Sequence, residues 1–306
     1  MAVKTKGAFG WSRCARIENA HAELIVTLEV GPRVLSYKTA GGVNVLWVDE
    51  ADAGKSGEKA FKGRGGHRLW VAPETDRTYA PDNGAVEFTP REPNAAVFVT
   101  PSTDPWRIRK ELTVSLGMES SAVMLTHRLT NESKEPVKIA SWALTIMTPG
   151  GFEIIPQPPL GEHGKEFLPN RVIVPWTYTD FSDPRWTFGR RFFLLRPKAG
   201  TGSTKLGFAH RPRWVGWVRN DTLFIKVFEY EDGAVYPDLG CNFETFTKGD
   251  FLELESLSPL KALAPGESVS HTEMWHLFSG VKAPDAADEA ELDRWLKPFL
   301  SLAGIV

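Results

Sequence analysis

The sequence predicts an all-β domain, a sandwich of sheets with one helix at its C-terminal end. Three observations predict it. Short apolar runs with period-two alternation recur along most of the 306 residues, as strands with one face in a core require. Gly and Pro, 27 and 22 residues, break those runs at turn-like spacing, with no rhythm of alternating strand and helix. Only one stretch carries a convincing helical stripe.

In chain order, runs at 22–29, 33–38 and 44–48 open the series. Runs at 95–100, 106–116, 122–131 and 137–145 continue it. Within 122–131, Val123, Leu125, His127 and Leu129 share one face, and Met124, Thr126 and Arg128 share the other. The Pro- and Gly-rich stretch 150–175 and the aromatic segment 177–190 read as an ordered excursion over one end of the sheets. Runs at 191–195, 205–209, 214–218, 222–230, 242–247, 251–257 and 268–278 complete the strands. The helix is expected at about 285–297: Asp285 supplies a capping oxygen, and Leu292, Trp295, Leu296 and Phe299 fall on one stripe. Pro298 is expected to end or bend it. No linker divides the chain, which reads as one domain over 1–306.

Composition narrows the function. Thirty-six Lys and Arg against 38 Asp and Glu leave a net charge of −2, without the basic excess of a nucleic-acid binder. No apolar run approaches the roughly 20 residues that cross a bilayer. Cys14 and Cys241 are too few for a disulfide framework or a Cys-rich zinc site. They are expected as free buried thiols, with a single pairing as the alternative. The first seven residues carry some positive charge with no apolar run behind them, unlike a secretory signal, so a cytoplasmic location is expected. The expected partner is a small molecule. No phosphate-binding Gly loop, G-x-S-x-G elbow or H-E-x-x-H motif is present, and no cofactor or metal is implied.

Three segments hold the remaining chemistry. The first spans 63–74, where glycines precede His67, Arg68, Trp70 and Glu74. An acid/base candidate, a fixed cation, a flat ring and a carboxylate within eight residues point to a site; the alternative is a turn closed by an Arg68–Glu74 ion pair. The second holds Lys226 among Phe224, Phe228 and Tyr230, then Tyr236, Asp238, Asn242, Glu244 and Phe246. A lysine in apolar company needs a partner, and Glu244 is the expected one, in a structural pair or as a grip on hydroxyls. The third holds Glu253 and Glu255, about 7 Å apart on one strand face, with His271, Glu273 and Trp275 beyond. The glutamates are either two solvated carboxylates or a pair whose repulsion raises one pKa. The His271 group is expected at a sheet edge. Eleven tryptophans are more than a core alone recruits. Two or three are expected at a site, where flat rings stack on sugar C–H faces while charged and amide groups hold the hydroxyls.

Together these segments resemble the galactose mutarotase-like, or aldose 1-epimerase-like, superfamily. The resemblance rests on Gly65, Gly66, His67, Arg68, Leu69 and Trp70, with Pro73 and Glu74. It rests also on the turn from Thr130 to Pro136, on Gly240, Asn242, Phe243, Glu244 and Thr245, and on the C-terminal pattern from Phe251 to Trp275. It covers about residues 20–280. It implies a β-supersandwich with a sugar cleft on a concave sheet, Glu244 as general base at the anomeric hydroxyl, and His67 as the first substrate-facing histidine. Arg68, Trp70, Glu74, Lys226, Tyr236, Asp238 and Asn242 are the expected substrate contacts. The superfamily's second histidine falls near 141–145, where this chain has none; His210 is the candidate stand-in acid. Three functions follow: an aldose 1-epimerase-type isomerase, a carbohydrate-binding protein without turnover, or a polysaccharide lyase-related module.

Overall fold

The computed structural model describes residues 3–91, 93–101 and 106–305; Met1 and Ala2, the start of the N-terminal stretch considered above, lie outside the described residues. The chain begins with β1 (Lys4–Ala8), β2 (Trp11–Glu18), β3 (Ala22–Thr27), β4 (Arg33–Thr39) and β5 (His67–Ala72). After a 3-10 turn at Asp76–Tyr79 come β6 (Glu87–Arg91), β7 (Ala95–Thr100), β8 (Ile108–Leu116), β9 (Val123–Asn131) and β10 (Val137–Met147). The middle adds β11 (Phe152–Pro156), β12 (Ile173–Pro175), β13 (Trp186–Phe188), β14 (Phe192–Leu195) and β15 (Ser203–Phe208). The last third holds β16 (Trp214–Arg219), β17 (Thr222–Phe228), β18 (Phe243–Lys248), β19 (Phe251–Leu257), β20 (Lys261–Leu263) and β21 (Ser268–Ser279). The helix α1 (Glu289–Leu302) follows.

Among the described residues these strands form two antiparallel sheets. An eleven-stranded sheet runs β1-β2-β3-β4-β5-β10-β19-β18-β15-β12, with β20 also on β10; a ten-stranded sheet runs β13-β14-β11-β16-β17-β21-β9-β8-β7-β6. The main core lies between them, where Leu24, Val26, Leu112, Leu125, Phe224, Leu254 and Trp275 are fully buried. The alternation expected for 122–131 holds, with Val123, Leu125, His127 and Leu129 all inward. The helix covers the other face of the ten-stranded sheet, packing Leu292, Leu296 and Leu300 on Ile154, Trp214, Leu223 and Ile225. Burying each such leucine stabilises by roughly 1.5–3 kcal/mol.

The helix differs from its expected bounds in two ways. Its cap is Asp288, whose carboxylate accepts from the amides of Ala290 and Glu291, and not Asp285. It also runs through Pro298 to Leu302, because the leucine stripe continues to Leu300 on the sheet. The run at 44–48 makes only isolated bridges through Leu46 and Val48. Two expectations about strands change. The segment 67–72 is a central strand and not a turn: Gly66, at φ +72°, lets the chain pass so close to β4 that a Cβ there would lie 2.3 Å from the Val34 carbonyl. And β21 lies between β17 and β9, so His271, Glu273 and Trp275 are interior residues and not edge residues. Cys14 and Cys241 are free and buried.

Candidate functional site

Five adjacent strands of the larger sheet, β5, β10, β19, β18 and β15, present one continuous outer face. The register puts Arg68 opposite Leu144, Trp70 opposite Trp142, and Leu144 opposite Glu255. Glu255 in turn lies opposite Glu244, which lies opposite Gly207. Residues two apart on each strand therefore gather Arg68, Trp70, Trp142, Glu253, Glu255, Glu244, Phe246 and Lys205 on one side. Above them is a cavity of about 220 Å³, closed by Phe61, Glu74 and Tyr79 from the segments flanking β5 and by Tyr178 from the stretch after β12.

Its floor is ionic and its walls are aromatic. The Lys205 Nζ lies 2.7 Å from Glu244 Oε2 and 2.9 Å from Glu255 Oε2. The ammonium is also 4.8 Å from the centre of the Trp142 ring and 4.5 Å from that of Trp176. Trp142 Nε1 donates to Glu255 Oε2 at 2.9 Å. Arg68 donates to Glu253 at 3.1 Å, with its guanidinium 4.2 Å from the Trp70 ring centre. The Tyr79 hydroxyl donates to Glu74. Gly207 makes room for this arrangement: a Cβ there would lie 2.5 Å from Cys241 Sγ and 3.0 Å from the Trp176 ring.

Several polar atoms in this floor are buried without a hydrogen bond. Arg68 Nε and Nη1 are two; Glu244 Oε1 has no partner either, and Glu244 Oε2 meets only the Lys205 ammonium. Buried polar atoms in native proteins are nearly always paired with protein or water, so the Arg68 nitrogens mark a place where water or an occupant supplies hydrogen bonds. Burial raises the Glu244 carboxyl well above the usual carboxylate range; Lys205 lowers it again in part, and Glu255 adds to the rise. Burial also raises Glu255, again against the pull of Lys205. For Lys205, burial works against the ammonium, but Glu255 and Glu244 outweigh it and hold its pKa above the ordinary lysine value.

The other expected residues lie elsewhere. His67 neighbours Arg68 on β5 and so faces inward, between the sheets, fully buried. Its Nε2 is 2.7 Å from His127 Nε2 and its Nδ1 2.9 Å from Thr145 Oγ1. Lys226 is also inward, and its partner is Glu273 at 2.7 Å, not Glu244. It donates further to Thr145 Oγ1 and to the carbonyls of Ala143 and Leu254. One proton arrangement satisfies the chain. His127 Nδ1 donates to the His271 carbonyl, leaving its Nε2 to accept from His67; His67 Nδ1 then accepts from Thr145, whose oxygen accepts from Lys226. His67, His127 and Glu273 bring possible metal-ligand atoms within 4.8 Å of one another. Those atoms are already engaged in this network, and the Lys226 ammonium occupies the carboxylate. The group fits a closed hydrogen-bond network better than a cation site.

His210 is a core histidine among Phe228 and Phe243, donating to the Trp214 carbonyl at 2.8 Å. Burial lowers its pKa to about 4. Asn242 stitches the neighbouring backbone, accepting from the His210 amide and donating to the carbonyls of His210 and Glu229. Tyr236 stacks on Tyr230 and accepts from the Glu231 amide. Asp238 sits in the turn before β18 at φ +48°. The expected set thus divides: Arg68, Trp70 and Glu74 line the cavity, Glu244 lies beneath Lys205, and His67, His210, Lys226, Tyr236, Asp238 and Asn242 do not line it. Sequence reasoning missed Lys205, Trp142, Tyr79 and Tyr178. Lys205 did carry a signal, as a lone cation alternating with Leu206 and Phe208 in a strand. Glu253 and Glu255, either solvated or coupled on the sequence reading, are buried at the cavity.

No protein-family model matches the chain, and no curated protein matches its sequence. Solved structures match its shape. A TPR-domain containing protein from Parabacteroides distasonis superposes with a TM-score of 0.59 at 13% identity over 89% of this chain. This chain spans 49% of that one, about half its length. A galactose mutarotase-like protein from Lactobacillus casei gives a TM-score of 0.57 at 11% identity, over 87% of this chain and 100% of that one. A galactose mutarotase related enzyme from Lactobacillus acidophilus gives 0.54 at 10% identity, over 88% and 98%. At such identities the likeness is one of architecture, and that architecture is the galactose mutarotase-like β-sandwich.

Proposed function

We propose, from this sugar-associated fold, that the cavity binds a carbohydrate of monosaccharide size and that the protein acts at its anomeric centre, as an aldose 1-epimerase-type isomerase. One observation carries the reading: buried donors on Arg68 lack partners beside one cavity that sets the carboxylates Glu253 and Glu255 against the indole walls of Trp70 and Trp142. A sugar hydroxyl gives and takes a hydrogen bond, and its ring offers C–H faces to Trp70 and Trp142. The volume of about 220 Å³ is below the roughly 300–1,000 Å³ of drug-sized pockets, which favours a single ring over an oligosaccharide. Glu244 stays in the proposed acid–base set, with Lys205 and Glu255 against it.

The test is direct binding. Tryptophan fluorescence and calorimetry with D-glucose, D-galactose and D-glucuronate should give saturable binding to at least one, weakened at least tenfold by Arg68→Met. No saturable response to any of the three sinks the reading. A second reading, binding without turnover, draws on the absence of histidine among the described residues lining the cavity; a bound aldose whose anomers exchange no faster than in buffer would select it.

A further inference from the structure

We propose that Glu255 is the carboxylate that meets the substrate, and that Glu255, Lys205 and Glu244 form one proton-holding unit that replaces imidazole as acid and base. This rests on the reading of the cavity as an aldose site. Glu255 and Lys205 line the cavity. Glu244 is fully buried and touches Lys205. Both carboxylates contact the same ammonium from directly opposite positions on β18 and β19.

Charge balance sets the number of protons. With both glutamates ionised the buried trio carries one excess negative charge; with one proton added it is neutral. An uncompensated buried charge is costly, and close carboxylates do not both ionise readily. The other charged or titratable groups nearby do not supply the missing positive charge. Arg68 is already paired with Glu253 and Lys226 with Glu273, Glu153 adds another buried carboxyl near Glu255, Asp238 and the Cys241 thiol lie beside Glu244, and Glu74, Tyr79 and Tyr178 stand across the cavity. Glu255 accepts from both Lys205 and Trp142, whereas Glu244 has the Lys205 ammonium alone. The resting proton therefore sits on Glu244, and Glu255 is the free base.

The step balances. The Glu255 carboxylate takes the proton of the anomeric hydroxyl, the electron pair of that O–H bond forms the carbonyl, and the bond from the anomeric carbon to the ring oxygen breaks. The ring oxygen takes a proton from the Lys205 ammonium as Glu244 passes its own proton to that nitrogen. The trio ends with the proton on Glu255 and the same total charge, and ring closure on either carbonyl face reverses every transfer. No outside acid, base or redox partner is required.

Saturation-transfer NMR between the anomeric protons of D-galactose and D-glucose tests this, alongside calorimetry on the same samples. Glu255→Gln should keep its affinity within threefold and lose at least 100-fold in exchange rate, the usual size of a general acid–base contribution. Glu255→Asp should recover part of that rate. Exchange within threefold of wild type in Glu255→Gln, with binding retained, overturns the proposal and leaves the aldose site standing. Wild-type binding with exchange no faster than buffer does the same. No binding removes both. Carbon-13 NMR of labelled glutamate side chains gives a readout that needs no sugar. Apart from Glu153, which burial also raises, one carboxyl of the wild type should titrate above the ordinary carboxylate range, and that titration should vanish in Glu244→Gln and Glu255→Gln alike; Glu244 and Glu255 both ionised at neutral pH overturn the proposal.

Discussion

Lys226 and Lys205 are two buried ammonium groups with opposite surroundings. Lys226 has one carboxylate, Glu273, and three further oxygens, from Thr145, Ala143 and Leu254, so its charge is matched one to one. Lys205 has two carboxylates and two indole faces, so its surroundings carry surplus negative charge. The first arrangement ties β17 to the facing sheet; the second is the one proposed above to hold a proton. Lys226→Met should therefore destabilise by about 3–5 kcal/mol, because it strands Glu273. Changing Glu273 to Leu in the same chain should recover most of that loss in urea denaturation. The need of Lys226 for a partner was legible in its apolar neighbours. The partner was not, since Glu273 is adjacent only through the pairing of β17 with β21, and pairing is a long-range property.

At the scale of elements, the strands were legible where one face is apolar, as in β8, β9, β17 and β19. They were not where the pattern is masked. β1 is polar and almost wholly exposed, and β5 follows glycines that read as a turn. The helix is held at its start in two ways: Asp288 caps it, and Glu289 accepts from the amides of Arg190, Arg191 and Phe192. Leu296 lies fully buried in its contact with the ten-stranded sheet. Leu296→Ala should cost about 2–5 kcal/mol in chemical denaturation, without altering sugar affinity, because the cavity is on the other sheet.

Across the whole molecule, the ionisable groups pull stability in two directions with pH. Burial lowers the pKa of His67, His127, His210 and His271. Burial alone would raise Glu273, but Lys226 and the neighbouring imidazoles hold it below its usual value. A group lowered on folding stabilises above its unfolded pKa and loses that effect as pH falls toward the folded one. The histidine contribution should thus be complete above about pH 6.5 and decline below it. Glu153, Glu244 and Glu255 are raised, so their contribution is present at low pH and lost as pH rises through their folded values. Unfolding free energy measured from pH 4 to 9 should show both limbs, and Glu244→Gln should flatten the alkaline one while leaving the acid one intact. The sandwich, its helix and three of the cavity-lining residues, Arg68, Trp70 and Glu74, could be read from the sequence. The division between interior and cavity could not, because it depends on which way β5 faces. That strand is a partition with a different tenant on each side: His67 closes the dry network and Arg68 serves the wet pocket. A one-residue slip of β5 would exchange its two faces, sending the Arg68 guanidinium between the sheets and the His67 imidazole to the cavity side. A sequence drifting toward histidine-based chemistry in this fold would have to rebuild both rooms at once.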